Sequence, residues 1–586
     1  MTTPLTSIWS ILPKIKRVSW VMLLILGAIL PFLVDSYILR SFSVFYVYLL
    51  LAIGLSVVVT YAGLLDLGYI AFFAVGAYTY GLLNKAVGLP FFAALPIGML
   101  TASAFGLLLG FPTLRVRGDY LALVTLGFGE IIRVLLVNIW GPQGIAGIAP
   151  PLSAALVGGF DNLYILFYFV ALIPVPIAIL LLARVDRSRM AKIWIAIRDN
   201  EIAAKSCGIN SVLWLLLAFA IGTAFAGTAG VIFAGIQRYI NPSSFVLGES
   251  IFILSIVVIA GSRSLWRLIL AAGILSFLPE ILRGFADYRM LIYGVLLTSF
   301  VIFEEKFTNR FRKKSFLDNG QDINASLRDR VQKLPAMLQQ NIPPIWVIKI
   351  DHLMMCFGGI TALDDVSFTL SLHGNVIGLI GPNGAGKSTL FDCLSGMTRP
   401  TSGGISLPGV HSPYPAHASA RAGVGRTFQT PQLFHTLTVR ENITAGTIRH
   451  SAKPDKANEL INGIIEYLGL QGVAETNITL LPLGIQRLTE LGRALALRPK
   501  VILVDEIASG LNSSEKQHMA GLIQHLSSEA GISFLMVEHD MDFVFPLASE
   551  VLVLDTGKLI ARGTPFEVAN NQIVIDAYLG RAHEAA

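Results

Sequence analysis

The chain has 586 residues, of which 54% are hydrophobic and 14% charged, with a formal net charge of +6. Soluble proteins carry about 25% charged residues, so this composition excludes a wholly water-soluble protein and places much of the chain in lipid. The excess positive charge needs no nucleic acid to explain it, because the basic residues cluster beside apolar runs.

The division is sharp. Residues 18–303 are nearly free of charge runs, whereas 304–586 have ordinary globular composition. Lys14, Lys16 and Arg17 precede an apolar run too long for a signal peptide, and no small-residue cleavage site follows, so a retained anchor is expected. A spanning helix needs about 20 apolar residues. Ten stretches qualify: 18–39, 43–62, 68–88, 90–111, 119–138, 161–183, 212–237, 245–262, 266–283 and 287–303. With the N-terminus inside, the inner loops hold Arg115, Arg117, Arg184, Arg187, Arg189, Lys192, Arg198, Lys205, Arg263 and Arg267, and the last span exits to Lys306, Arg310, Arg312, Lys313 and Lys314. The outer loops hold Arg40, Lys85, Arg238, Arg283 and Arg289. The bias follows the positive-inside rule and places both termini in the cytoplasm. Within the spans, Glu130 and Arg133 lie one helical turn apart, Glu280 and Arg283 repeat that spacing, and Glu249 stands by itself near an outer end. Charges at such depth are costly; the pairs read either as functional groups or as self-neutralising structural pairs. The glycines of Gly222–Gly235 suggest close helix packing.

The longest inner loop, 184–211, carries Ile193, Ile197 and Ala204 on a common helical face, with Gly208 as a stop. It reads as a short helix that docks on an ATPase surface, or more plainly as a basic loop. Residues 304–344 are polar, lack apolar periodicity and end at Pro343-Pro344, as a tether does. The expected organisation is a membrane domain over 1–303, a cytoplasmic linker over 304–344 and a nucleotide-binding domain over 345–586. None of Cys207, Cys356 and Cys393 forms a CxxC pair, and free thiols are expected.

In the last part, Gly381-Pro-Asn383-Gly384-Ala-Gly386-Lys387-Ser388-Thr389 fits G-x-x-x-x-G-K-[ST], the P-loop, between an apolar strand Val376–Ile380 and a helix. Glycines let successive N–H groups curl around phosphate oxygens, Lys387 reaches the β- and γ-phosphates of ATP, and Ser388 ligates Mg²⁺. The apolar run Val501–Val504 ends in two carboxylates: Asp505 suits Mg²⁺ held through water, and Glu506 suits polarising the attacking water.

Tyr61–Tyr78, Arg115–Arg133 and Ala196–Ala204 resemble the permease subunits of bacterial branched-chain (hydrophobic) amino-acid ABC importers. Val366–Gly580 resembles the matching ATPase subunit, including Arg399–Gly403 and Asp576–Gly580. The resemblance implies a polytopic α-helical membrane domain followed by an α/β P-loop NTPase of ABC type. It implies that Phe357 stacks on adenine, that Gln429 touches Mg²⁺ and the membrane-domain interface, and that His539 contacts the γ-phosphate. Three departures stand out. The signature, Leu-Ser-x-Gly-Gln in the family, is Leu481-Pro482-Leu483-Gly484-Ile485 here; Pro482 has neither hydroxyl nor N–H. Ile507 stands where proline is usual, and Ala260–Ser264 replaces a Gly-Gly-x-Gly-Ser stretch. The implied function is ATP-driven uptake of branched-chain amino acids or related small polar solutes at the bacterial inner membrane. The implied partners are a second permease, a second ATPase subunit and a periplasmic substrate-binding protein, with the bilayer and no nucleic acid. Against it stand an ATP-driven exporter, disfavoured by the short inner loops, and a non-transport ATP-gated membrane regulator.

Overall fold

The computed structural model describes residues 27–114, 116, 119–152, 160–186, 188–261, 264–281, 346–448 and 454–579, and single positions between 291 and 338. The chain divides into two compact units: 1–195 with 212–319, and 196–211 with 320–586.

In the first unit, seven helices among the described residues are long and apolar enough to cross a membrane: Ser36–Tyr61, Ile70–Val87, Phe91–Thr113, Tyr120–Trp140, Leu163–Asp186, Ser211–Gln237 and Pro242–Ala260. Of the ten expected spans, 287–303 and the start of 18–39 lie largely outside the described residues, and 266–283 is a helix, Leu265–Ile281, with a shorter apolar stretch. The 161–183 stretch is two helices, Phe160–Leu172 and Pro174–Asp186, because proline cannot continue the hydrogen-bond ladder of the preceding turn. A two-residue ribbon pairs β1 (Ile145–Ala146) with β2 (Tyr239–Ile240).

Glycine sets the helix spacing. A Cβ on Gly76 would sit 2.2 Å from the carbonyl oxygen of Gly227, and one on Gly227 would sit 2.3 Å from that of Gly98, so backbones touch where any side chain would separate them. The Tyr69 hydroxyl donates to the Gly222 carbonyl at 2.7 Å, across the same seam. Glu130 and Arg133 do pair: Arg133 Nε lies 3.0 and 2.9 Å from the two Glu130 oxygens. Arg283 and the Glu280 side chain lie outside the described residues.

The second unit holds two sheets. The strands are β3 (Trp346–Phe357), β4 (Ile360–Leu372), β5 (Val376–Ile380), β6 (Ser402–Leu407), β7 (Val410–His411), β8 (Val424–Arg426), β9 (Val501–Asp505), β10 (Ser533–Val537), β11 (Glu550–Asp555) and β12 (Lys558–Gly563). The larger sheet has the order β12-β11-β5-β10-β9-β8. Its strands from β11 to β8 are parallel, and β12 closes the edge antiparallel. All five residues of β5, β9 and β10 are buried, which is why these strands read as unbroken apolar runs rather than alternating ones. The smaller, antiparallel sheet has the order β4-β3-β6-β7. β5 and β9 flank β10, so the loops leaving their carboxyl ends converge.

Candidate functional site

The P-loop leaves β5 at Gly381. Gly381, Gly384 and Gly386 have φ of 151°, 84° and 96°. At Gly386 a Cβ would also meet the Ala362 carbonyl at 2.4 Å, so glycine is required there twice over. Gly386 caps the helix Lys387–Leu394, which aims its N-terminal N–H groups into the loop. Ser388 is exposed and Thr389 half-buried on its first turn, and Asn383 is exposed on the loop. Lys387 is buried and folds back, donating from Nζ to the carbonyls of Gly381 at 2.8 Å and Pro382 at 2.9 Å. Burial lowers its pKa. A desolvated ammonium satisfied by two neutral carbonyls fits an incoming polyphosphate, and the glycine cradle fits its oxygens.

Glu506 and His539 follow the neighbouring strands β9 and β10, and Gln429 follows β8. Glu506 takes φ of 46°, a left-handed conformation unusual for a side chain of this size. There its Oε2 accepts from Gln429 Nε2 at 2.8 Å, and its Oε1 lies 3.0 Å from His539 Nε2. Three residues far apart in sequence thus meet on one carboxylate. Asp505 is 5% exposed. Burial pushes its pKa up to about 6 against the pull of Arg426, whose Nη2 stands 3.8 Å from Oδ2. A carboxylate costly to ionise when alone is a ready partner for a divalent cation.

Phe357 ends β3 and is 51% exposed, leaving its ring available for stacking. The departing signature forms the start of the helix Leu483–Ala496, with Pro482 at its N-cap and no side-chain hydrogen bond to the free N–H groups. Gln486 Nε2 donates to the Leu481 carbonyl at 2.9 Å. Leu483 is exposed, but Ile485 is 7% exposed and belongs to the core, so the last residue of the five faces inward. At Gly484 a Cβ would meet Glu515 at 2.7 Å, a packing reason for that glycine. Ile507, at the unusual position after Glu506, is buried in the same core.

Two further residues contribute. Tyr578, 197 residues from Gly381, accepts the Gly381 N–H on its hydroxyl at 2.8 Å. Glu538, beside His539, accepts from Ala508 N–H at 2.8 Å, and burial pushes its pKa up to about 7.

Residues 196–211 are part of this second unit. The loop is two helices, Arg189–Asp199 and Glu201–Ser206, broken at Asn200, whose side chain caps the second. Gly208 ends it with φ of 77°. Asn200 Nδ2 donates to Gln432 Oε1 at 2.9 Å, and Asp199 accepts from the Thr436 N–H at 2.9 Å and from its hydroxyl. Gly208 packs over His417, Ala420 and Arg421. These contacts come from residues 199–208, which overlap the C-terminal end of the expected Ile193–Ala204 face. Ile197 and Ala204 are themselves buried.

Residues 37–301 match the family model of the branched-chain amino acid transport system permease component. Residues 363–509 match that of the ABC transporter, and 558–584 that of the branched-chain amino acid ATP-binding cassette transporter. The chain is 42% identical over 311 residues to the high-affinity branched-chain amino acid transport system permease protein LivM of Escherichia coli, covering 49% of this chain and 73% of that protein. It is 35% identical over 252 residues to the high-affinity branched-chain amino acid transport ATP-binding protein BraF of Pseudomonas aeruginosa, covering 40% of this chain and 98% of BraF. The ATP-binding protein LivG of Escherichia coli is matched to the same extent, at 35% over 252 residues, with 40% and 98% covered.

Proposed function

The chain belongs to the branched-chain amino acid ABC transporters, permease and ATP-binding components in one polypeptide, and from that premise we propose that it drives ATP-dependent uptake of branched-chain amino acids or related small polar solutes. The observation that carries the coupling of the two activities is the packing of residues 199–208 into the ATPase unit through Asn200–Gln432 and Asp199–Thr436. A force at the membrane-domain loop then has a material route to the Gln429 segment.

In this reading the P-loop N–H groups and Lys387 hold the ATP phosphates, and Phe357 stacks on the base. Ser388, Asp505 and Gln429 would hold Mg²⁺, which supplies charge neutralisation at the phosphates. Glu506 orients the attacking water and accepts its proton at a carboxylate oxygen, and His539 fixes that carboxylate from the other side. The charge bias of the loops supports a chain in the bacterial inner membrane with its ATPase unit on the cytoplasmic side. The chain works within a multi-subunit system. A second permease, a second ATPase subunit and a periplasmic binding protein complete it, because one membrane half and one nucleotide-binding half make half a translocation unit.

Uptake of radiolabelled leucine by cells expressing the assembled system tests this directly. Lys387→Ala should abolish ATP binding and uptake together. Glu506→Gln should retain ATP binding, with phosphate release cut by about a hundredfold or more. Outward rather than inward solute movement would overturn the uptake reading; normal turnover in Glu506→Gln would overturn the assignment of that residue.

A further inference from the structure

The segment Phe428–Gln432 is gripped by a buried charged cluster that the nucleotide chemistry does not use. Glu490 lies on Leu483–Ala496, the helix that opens at the signature, and is 1% exposed. Its Oε2 accepts from the Phe428 N–H at 3.3 Å, and its Oε1 accepts from the Gln432 N–H at 2.9 Å. Arg493, one turn further and 2% exposed, sets Nη2 3.4 Å from Glu490 Oε1 and donates from Nη1 to the Gln432 carbonyl. Arg487, one turn earlier, donates to the carbonyls of Phe428 at 3.4 Å and Gln429 at 2.9 Å. Backbone donors and acceptors from both ends of the segment therefore terminate on one helix. The Gln432 side chain faces elsewhere, accepting from Asn200 of the docking segment at 2.9 Å. Cys207 of that segment is buried and within the field of Arg493 and Glu490.

We propose that Glu490, fixed by Arg493, is a positioning residue that transmits displacement of the 199–208 docking segment to the signature loop 481–484, by way of Gln432. Burying an ion pair is weak evidence for stability, because desolvation offsets the attraction. Its geometric effect is different: a carboxylate holding two N–H groups at once, locked by a guanidinium that holds the adjacent carbonyl, allows little slip between segment and helix. The Gln429 segment then has two outputs. Gln429 reaches Glu506 and the hydrolytic chemistry. Gln432 and Phe428 reach the helix that has Pro482 at its N-cap and Gly484 in its first turn, with no nucleotide in the path.

The inference rests on residues 199–208 being the coupling contact. Its test needs no transported solute, so its failure and a failure of the uptake reading register in different measurements. Hydrogen–deuterium exchange is followed on the full chain in lipid nanodiscs. Asn200→Ser keeps a helix cap but loses the reach to Gln432. It should raise exchange severalfold in peptides covering 428–432 and also in those covering 481–486. In a Glu490→Gln background, the further effect of Asn200→Ser on 481–486 should fall to less than a third. If Glu490→Gln does not fold, Arg493→Lys, which keeps the charge and loses the fork, replaces it in the same cycle with the same expectation. An equal effect of Asn200→Ser in both backgrounds, or an effect confined to 428–436, would overturn the proposal.

Discussion

At the scale of residues, the site concentrates groups held in costly states. Glu490 accepts two N–H bonds and pairs with Arg493, yet burial outweighs both and pushes its pKa up to about 7. A carboxyl raised in the folded state binds a proton there before it does in the unfolded chain. Its favourable contribution is complete below the unfolded value near 4.3 and is lost as pH rises through about 7. The ATPase unit should therefore lose stability between about pH 4.5 and 7, by on the order of 1–3 kcal/mol for this group. Unfolding midpoints of parent and Glu490→Gln at pH 5 and pH 7.5 check the sign: the difference should narrow or reverse towards high pH, because the amide cannot ionise. Tyr578 offers a second residue-level check. Its hydroxyl holds the Gly381 N–H, and the Gly381 carbonyl in turn holds Lys387. Tyr578→Phe removes one neutral hydrogen bond, worth about 1 kcal/mol. The nucleotide Kd should rise severalfold with kcat at saturating ATP nearly unchanged; an unaltered Kd would mean the P-loop holds its shape without the C-terminal helix.

At the scale of elements, the helix Tyr120–Trp140 carries Glu130 and Arg133 near the middle of an apolar span. The i,i+3 spacing lets the two neutralise each other within one turn. A single change, Glu130→Gln or Arg133→Gln, leaves the other charge unpaired in the span and should lower the folded yield. The double change should recover much of that loss. Folded yield and thermal resistance in membranes measure it, and a double variant as impaired as the worse single one would show that the pair does more than neutralise itself. The docking element shows how a local signal is completed by packing. Gly208 and the amphipathic stretch mark a short helix in the sequence, but the break at Asn200 and its bond to Gln432 depend on a surface contributed 232 residues later.

At the scale of the whole molecule, we propose from the resemblance to ABC ATPases a head-to-tail pairing, in which each nucleotide would lie between one P-loop and the partner's signature. This chain joins a complete P-loop to a signature helix with Pro482 at the cap and no side-chain hydrogen bond there. Losing a hydrogen bond to a charged group costs roughly 1.5–3 kcal/mol, or about ten- to a hundredfold in rate if it acts in the transition state. In a hetero-assembly the faster site would use Lys387, Asp505 and Glu506 of this chain. Lys387→Ala should then remove most ATPase activity, and the equivalent change in the partner ATPase should remove less. Equal losses would refute the asymmetry.

Much of this organisation was legible in one dimension. Spans, their charge bias, the P-loop and the carboxylate-tipped β9 are each written in windows of 5–25 residues, because hydropathy, helix period and glycine spacing act over such distances. The meeting of Gln429, Glu506 and His539 could be expected from resemblance, but their contact on one carboxylate required β8, β9 and β10 to lie side by side. Glu490 drew no expectation from the sequence, and Tyr578 entered only within the Asp576–Gly580 stretch of the resemblance. Their partners lie 58–62 and 197 residues away, and burial, which sets the energy of a charge, is a property of everything packed around it. The same holds for residues 196–211: the sequence placed them between two spans of the membrane half, and packing made them part of the ATPase unit. Local propensity decides what each segment becomes; which segments share a core is settled by long-range complementarity of shape and polar groups, which short windows do not contain.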